Sequence, residues 1–233
     1  MILRTVGLLL FYLLALLALV VLIPMTAVFG AREALLALGK GAMRVSRRVL
    51  GLRVEVRGAG HADPSGPAVF MANHESFLDG PLLFLLIPRP LRIIVKKSVF
   101  GVPVLGQGMR LVGFVPVDRK GIRKGRAAIE RAAGAVREKG HSFLLFPEGT
   151  RSRTGALQDF RRGGFFLALE SGAPIVPISI QGTFALMPKG RFVPRQGKIR
   201  VTFHPPVPMA GLGPDGVGLL IDRVRRVILS GFE

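Results

Sequence analysis

The first pattern along the chain is an uninterrupted apolar one. From Thr5 to Ala31 no residue is charged, a run of 27 positions, and Val6 to Ile23 is apolar apart from Gly7 and Tyr12. A helix over this run is long enough to cross a hydrocarbon core of roughly 30 Å. A cleaved signal peptide fits less well, because Arg4 is the only positive side chain ahead of the run and no small-residue cleavage site follows it. Pro24 comes late in the run, where it kinks the helix or ends it.

The pattern then changes period. Leu35, Leu38, Ala42, Val45 and Val49 recur at spacings of three and four, while Lys40, Arg44, Arg47 and Arg48 fall on another face. This predicts an amphipathic basic helix from Arg32 to Leu50. Such a helix either lies in a membrane interface or packs on a core with its basic side in water. The charge excess after the first helix places that end, and the chain beyond it, on the cytoplasmic side of the inner membrane. Residues 1–50 are thus expected to form a membrane-anchoring helix pair, and 51–233 a single domain.

From residue 53 short apolar runs alternate with helical stretches, the pattern of an α/β domain with a mixed sheet flanked by helices. The predicted strands are Val54 to Val56, Ala68 to Ala72, Leu91 to Val95, Val112 to Val117, Ser142 to Phe146, Ile175 to Ile180 and Ile199 to Phe203. Helices fit at 81–87, 98–110, 121–139, 161–171 and from Pro214 to Ser230. Pro177 removes one ladder donor and so predicts an edge strand or a bulge. The Pro- and Gly-containing stretches 187–197 and 205–216 read as loops.

Composition narrows the function. The absence of cysteine excludes disulfides, zinc–thiolate sites and any cysteine acyl-enzyme. A formal charge of +19, from 33 Lys and Arg against 14 Asp and Glu, favours an anionic partner. Nucleic acid is the wrong anion: aromatics are 7%, tryptophan is absent, and the basic residues are spread along the chain with no stacking platform. The hydrophobic fraction of 49% and mean hydropathy of +0.45 point instead to a membrane.

The candidate chemistry centres on Asn73-His74-Glu75-Ser76-Phe77-Leu78-Asp79. His74 is predicted in a strand-to-helix turn, with Asp79 near the N-cap of the next helix. A carboxylate that reaches one imidazole nitrogen leaves the other facing a substrate, as a general base requires. Alone, the His-x4-Asp spacing is a weak signal. Two more stretches end predicted strands, where ligands of open α/β sheets gather. Gly113 to Arg119 ends in a guanidinium able to grip a phosphate. Phe146-Pro147-Glu148-Gly149-Thr150-Arg151-Ser152 offers close backbone approach at Gly149, hydroxyls at Thr150 and Ser152, and a cation at Arg151. Glu148 has three readings: acceptor for a substrate hydroxyl, partner of an arginine, or turn carboxylate. His61, His141 and His204 read as surface or loop residues.

Together these stretches resemble the motifs of the glycerolipid acyltransferase superfamily, whose bacterial members include 1-acyl-sn-glycerol-3-phosphate acyltransferases. His74 and Asp79 match its H-x4-D motif, Arg119 its second motif, Phe146 to Ser152 its FPEGTRS motif without substitution, and Val176-Pro177 its fourth. The resemblance covers roughly residues 50–205. It implies that His74 is the catalytic base and Asp79 its partner, with Asn73, Lys97, Arg119, Glu148, Gly149, Thr150 and Arg151 around the substrate. It also implies acyl-CoA or acyl carrier protein as acyl donor, no cofactor or metal, lysophosphatidic acid as acceptor and phosphatidic acid as product. Glycerol 3-phosphate or a lyso-aminolipid are the alternative acceptors, and a non-catalytic basic membrane-binding protein is the alternative class.

Overall fold

Val69–Ala72 and Ser142–Leu145 are buried at every position, so both of their faces must be covered. Strands of that kind sit inside sheets with helices on either side. In a computed structural model of the protein, the described residues are 23, 24, 26, 30, 32–103, 105–117, 122–191, 193–209, 211 and 213–233. Their strands are β1 (Leu52–Arg57), β2 (Val69–Ala72), β3 (Leu91–Lys96), β4 (Val115–Val117), β5 (Ser142–Leu145), β6 (Ile175–Gln181) and β7 (Gly197–Phe203). They form one seven-stranded sheet in the order β1-β7-β6-β2-β5-β3-β4. The five strands from β6 to β4 are mutually parallel; β7 pairs antiparallel with β6, and β1 runs parallel to β7. The expected mixed sheet is present.

The helices are α1 (Arg32–Val49), α2 (Asp79–Leu86), α3 (Leu105–Leu111), α4 (Ile122–Lys139), α5 (Gly163–Ser171), α6 (Thr183–Leu186) and α7 (Val217–Ser230). Alternation along the strands divides the core in two. Phe70, Ala72, Leu144 and Val176 pack with Leu35 and Leu36 of α1 and with Leu82 to Phe84 of α2. On the other face, Val69, Met71, Phe143 and Leu145 pack with α4, α5 and α7. Amphipathic helices of these lengths owe their stability to such a buried face more than to intrinsic propensity.

Several boundaries differ from the sequence reading, each for a local reason. The stretch expected to be one helix over 98–110 is a short 3-10 turn, Lys97–Gly101, followed by α3, with Pro103 between them. The strand expected over Val112 to Val117 begins only at Val115, because Gly113 takes a left-handed φ of 80° and turns the chain first. β6 is an interior strand, so Pro177 does not mark an edge. It coincides with a register slip: Ile175 bridges Val207, yet Ile178 pairs with Phe203, leaving three residues on the β7 side opposite two. Pro177 contributes only its carbonyl there, accepting from His204 N at 3.0 Å.

The expected apolar span from Thr5 to Ala31 lies almost wholly outside the described residues, and no helix among the described residues is long and apolar enough to cross a membrane. α1 lies where the periodicity puts it, but its core face is rotated from the expected stripe. Leu35, Leu36, Met43 and Leu50 meet the core, while Val45 is 39% exposed. Lys40, expected on the solvated face, sends Nζ to the carbonyl of Ile87 at 3.1 Å and lies 5.5 Å from the Phe84 ring centre.

Candidate active site

The carboxyl ends of β2 and β5 lie side by side, and the chain leaves them in opposite directions. After β2 it passes to α2 on one face of the sheet; after β5 it passes to α5 on the other. This reversal opens the crevice at which parallel sheets bind ligands. His74 follows β2 and Glu148 follows β5, so the two sequence motifs meet there.

The turn after β2 is wound about one oxygen atom. Oδ2 of Asp79, a residue with no exposed surface, accepts from the backbone N–H groups of Glu75 and Ser76, both at 2.7 Å, and faces His74 Nδ1 at 2.8 Å. Asp79 lies in the first turn of α2, and its carboxyl folds back to cap the preceding turn. A carboxylate there orients the ring. The imidazole is also stacked on Phe146, with centroids 4.0 Å apart and planes 15° from parallel. With one edge held and one face covered, Nε2 is the free atom of the ring, and the side chain keeps 20% of its surface.

The second motif holds the backbone of the first from both sides. His74 N donates to Glu148 Oε1 at 2.6 Å, and Ser152 N donates to the carbonyl of His74 at 2.8 Å. Glu148 Oε2 accepts from the backbone and side-chain N–H groups of Gln158, at 3.0 and 2.9 Å. Burial pushes the Glu148 carboxyl above its ordinary range, and the hydrogen bonds from His74 N and Gln158 oppose this. Of the three readings of Glu148, the structure thus puts it nearest the third, as a turn carboxylate with a specific duty: it fixes the histidine's main chain. Gly149 beside it has φ 74°, and a Cβ there would lie 2.8 Å from Arg161 Nε.

Asn73 turns inward. It exchanges two hydrogen bonds with Ile180 of β6, Nδ2 to O at 2.8 Å and Oδ1 from N at 2.7 Å, and donates to Glu75 Oε1 at 3.0 Å. Its amide is spent on joining β2 to β6. Thr150 is exposed, and its carbonyl accepts from Gln158 Nε2 at 3.0 Å. Arg151 lies over the Phe77 ring, 3.5 Å from its centre, and its Nη1 is buried with no hydrogen-bond partner among the described residues. Burial pulls its pKa down while the charge of Asp79 opposes that. An unspent buried donor on a cation is a place for an anion to land. Lys97 follows β3 at the same edge of the sheet and is exposed, whereas Arg119 lies outside the described residues.

Phe146, Gln158, Phe77 and Glu75 belong to the site without having been assigned roles from sequence. Phe146 stands inside the FPEGTRS motif, so position pointed to it, but ring stacking has no sequence signature. Among the described residues no three His, Asp or Glu side chains gather as metal ligands.

The comparisons with known proteins identify the family. The family model described as Acyltransferase matches residues 53–181. Human 1-acyl-sn-glycerol-3-phosphate acyltransferase alpha is 35% identical over 216 residues, spanning 92% of this chain and 76% of that protein. A chloroplastic 1-acyl-sn-glycerol-3-phosphate acyltransferase of Brassica napus, BAT2, is 39% identical over 142 residues, 60% of this chain and 41% of that protein. Among solved structures, the 1-acyl-sn-glycerophosphate (LPA) acyltransferase PlsC of Thermotoga maritima superimposes with a TM-score of 0.78 at 27% identity, covering 98% of this chain and 95% of that one. The chain therefore belongs to the 1-acyl-sn-glycerol-3-phosphate acyltransferase family within the glycerolipid acyltransferases.

Proposed function

We propose that this O-acyltransferase moves an acyl group from acyl-CoA or acyl carrier protein to the sn-2 hydroxyl of 1-acyl-sn-glycerol 3-phosphate, giving phosphatidic acid. The observation that carries the mechanism is the restraint of His74: Asp79 at Nδ1, Phe146 on its face, and Nε2 left open. Nε2 takes the proton of the acceptor hydroxyl as its oxygen attacks the thioester carbonyl. The tetrahedral intermediate collapses, the carbon–sulfur bond breaks, and the imidazolium returns its proton to the thiolate. Acyl transfer is direct; the chain has no cysteine to carry the acyl group as a thioester.

Arg151, with its unspent buried Nη1, holds the acceptor's phosphate, and Lys97, which follows β3, adds charge, as the resemblance also expects of Arg119. The names of the relatives support lysophosphatidic acid as acceptor. The acyl chains reach the site from the bilayer, to which residues 1–50 tether the domain on its cytoplasmic side.

The test is thiol release from acyl-CoA by purified protein in lipid vesicles, with lysophosphatidic acid, glycerol 3-phosphate and a lyso-aminolipid in parallel, repeated with acyl carrier protein as donor. Release should be fastest with lysophosphatidic acid, with phosphatidic acid detected by mass spectrometry. Faster release with another acceptor would reassign the substrate, and silence with both donors would overturn the reading.

A further inference from the structure

Glu75 lies next to the base, is 8% exposed, and has no part in the proton transfer just described. Its three polar groups all reach parts of the site. Its backbone N–H is one of the three donors on Asp79 Oδ2. Oε1 accepts from Asn73 Nδ2 at 3.0 Å, the amide that also bridges to β6. Oε2 faces the N-terminal end of α6, accepting from Phe184 N at 3.3 Å with Thr183 Oγ1 at 3.5 Å. The next residue repeats the connection: Ser76 Oγ donates to Met187 O, just beyond α6, at 2.8 Å. The turn that carries His74 and Asp79 is thereby held on one side by Glu148 from β5 and on the other by Glu75 against α6.

We propose that Glu75 is a positioning residue for the His74–Asp79 pair, its carboxyl clamping the catalytic turn to the first turn of α6. The inference rests on His74 acting as base. The charged groups acting most on Glu75 are two other acids, Asp79 from α2 and Glu148 from the loop after β5, and His74 precedes it in the chain. Burial first, and the charge of Asp79 second, raise its carboxyl to about 7. The clamp consequently changes charge near neutrality. When neutral it holds the turn through hydrogen bonds alone. When ionised it presents both oxygens as acceptors to the donors of Asn73, Thr183 and Phe184.

Two substitutions separate these duties. E75Q keeps the shape and one acceptor but turns an amide N–H toward the donor of Asn73 or of Phe184, so it weakens the clamp and abolishes the charge. E75L fills the space and removes both. For acyl transfer in vesicles, E75L should lower kcat by about 10-fold or more with the Michaelis constant for lysophosphatidic acid within about threefold, as expected when a transition-state geometry is lost. E75Q should lower kcat as well, but by less than E75L does.

Hydrogen–deuterium exchange over residues 73–79 and 183–187 reads the clamp without turnover: fastest in E75L and intermediate in E75Q. Unchanged exchange in E75L, or a kcat of E75L equal to that of wild type, would overturn the proposal. If exchange responds as stated but His74→Ala transfers acyl groups at the wild-type rate, the clamp stands and the reading of His74 as base falls.

Discussion

The two sides of the active-site edge are built on different principles. On the β2–β5 side most polar groups near His74 have a structural partner: Asp79 Oδ2 takes three donors, Glu148 takes three, and Asn73 spends its whole amide, while Asp79 Oδ1 is buried without a partner among the described residues. On the side of the cations, Arg151 keeps a donor unspent and Lys97 stands in solvent. A general base must be held within a narrow geometry before substrate arrives, and buried hydrogen bonds supply that. A headgroup phosphate supplies its own charge to order the side chains that bind it, so the cations can wait unpaired. The contrast predicts that changes on the first side act on turnover and stability, and changes on the second act on binding.

The largest effect belongs to the base. His74→Ala should lower kcat by about 10² to 10⁴, with the circular dichroism spectrum unchanged. Next is Glu148→Ala, which strands His74 N–H and both Gln158 donors; urea unfolding should show a loss of about 2–4 kcal/mol, together with a lower kcat. A similar magnitude applies to the pH dependence of Glu75. Its folded-state pKa is raised from 4.5 to about 7, so the folded protein holds that proton more tightly than the unfolded chain. Stability is full below about 4.5 and is lost as pH rises through about 7, the direction for a raised acid. Relative to E75Q, wild type should lose up to about 3 kcal/mol of unfolding free energy between pH 5 and pH 8.

On the cationic side, Arg151→Ala should raise the Michaelis constant for lysophosphatidic acid about 10-fold or more while leaving that for the thioester within about twofold, the cost of one charge-assisted contact to phosphate. Equal effects on both substrates would remove Arg151 from the phosphate site. Lys97→Ala should change the same constant by no more than about fivefold, since an exposed cation is worth little.

The same contrast explains what the sequence made legible. The strands and the H-x4-D turn could be read because they rest on local rules: an apolar run, a proline after the aspartate, and a spacing that lets a carboxyl fold back on its own turn. Likewise α1 could be placed by its period, but the rotation that buries Leu36, half-buries Met43 and leaves Val45 exposed depends on where α2 lies, which no local rule contains. Glu148 kept three readings in the sequence because its partner, His74 N–H, is 74 residues away and comes close only when β2 and β5 pair. The inward turn of Asn73 toward β6 was hidden for the same reason. For Pro177 the local argument offered an edge or a bulge, and the structure takes the second, a register slip inside the sheet.

The central claim is direct transfer to a hydroxyl activated by His74, and initial-rate kinetics with both substrates varied, joined to the intact mass of protein mixed with acyl-CoA alone, tests it most directly. Intersecting double-reciprocal lines and an unmodified protein mass are the predicted result. Parallel lines with a retained acyl adduct on the protein would contradict it.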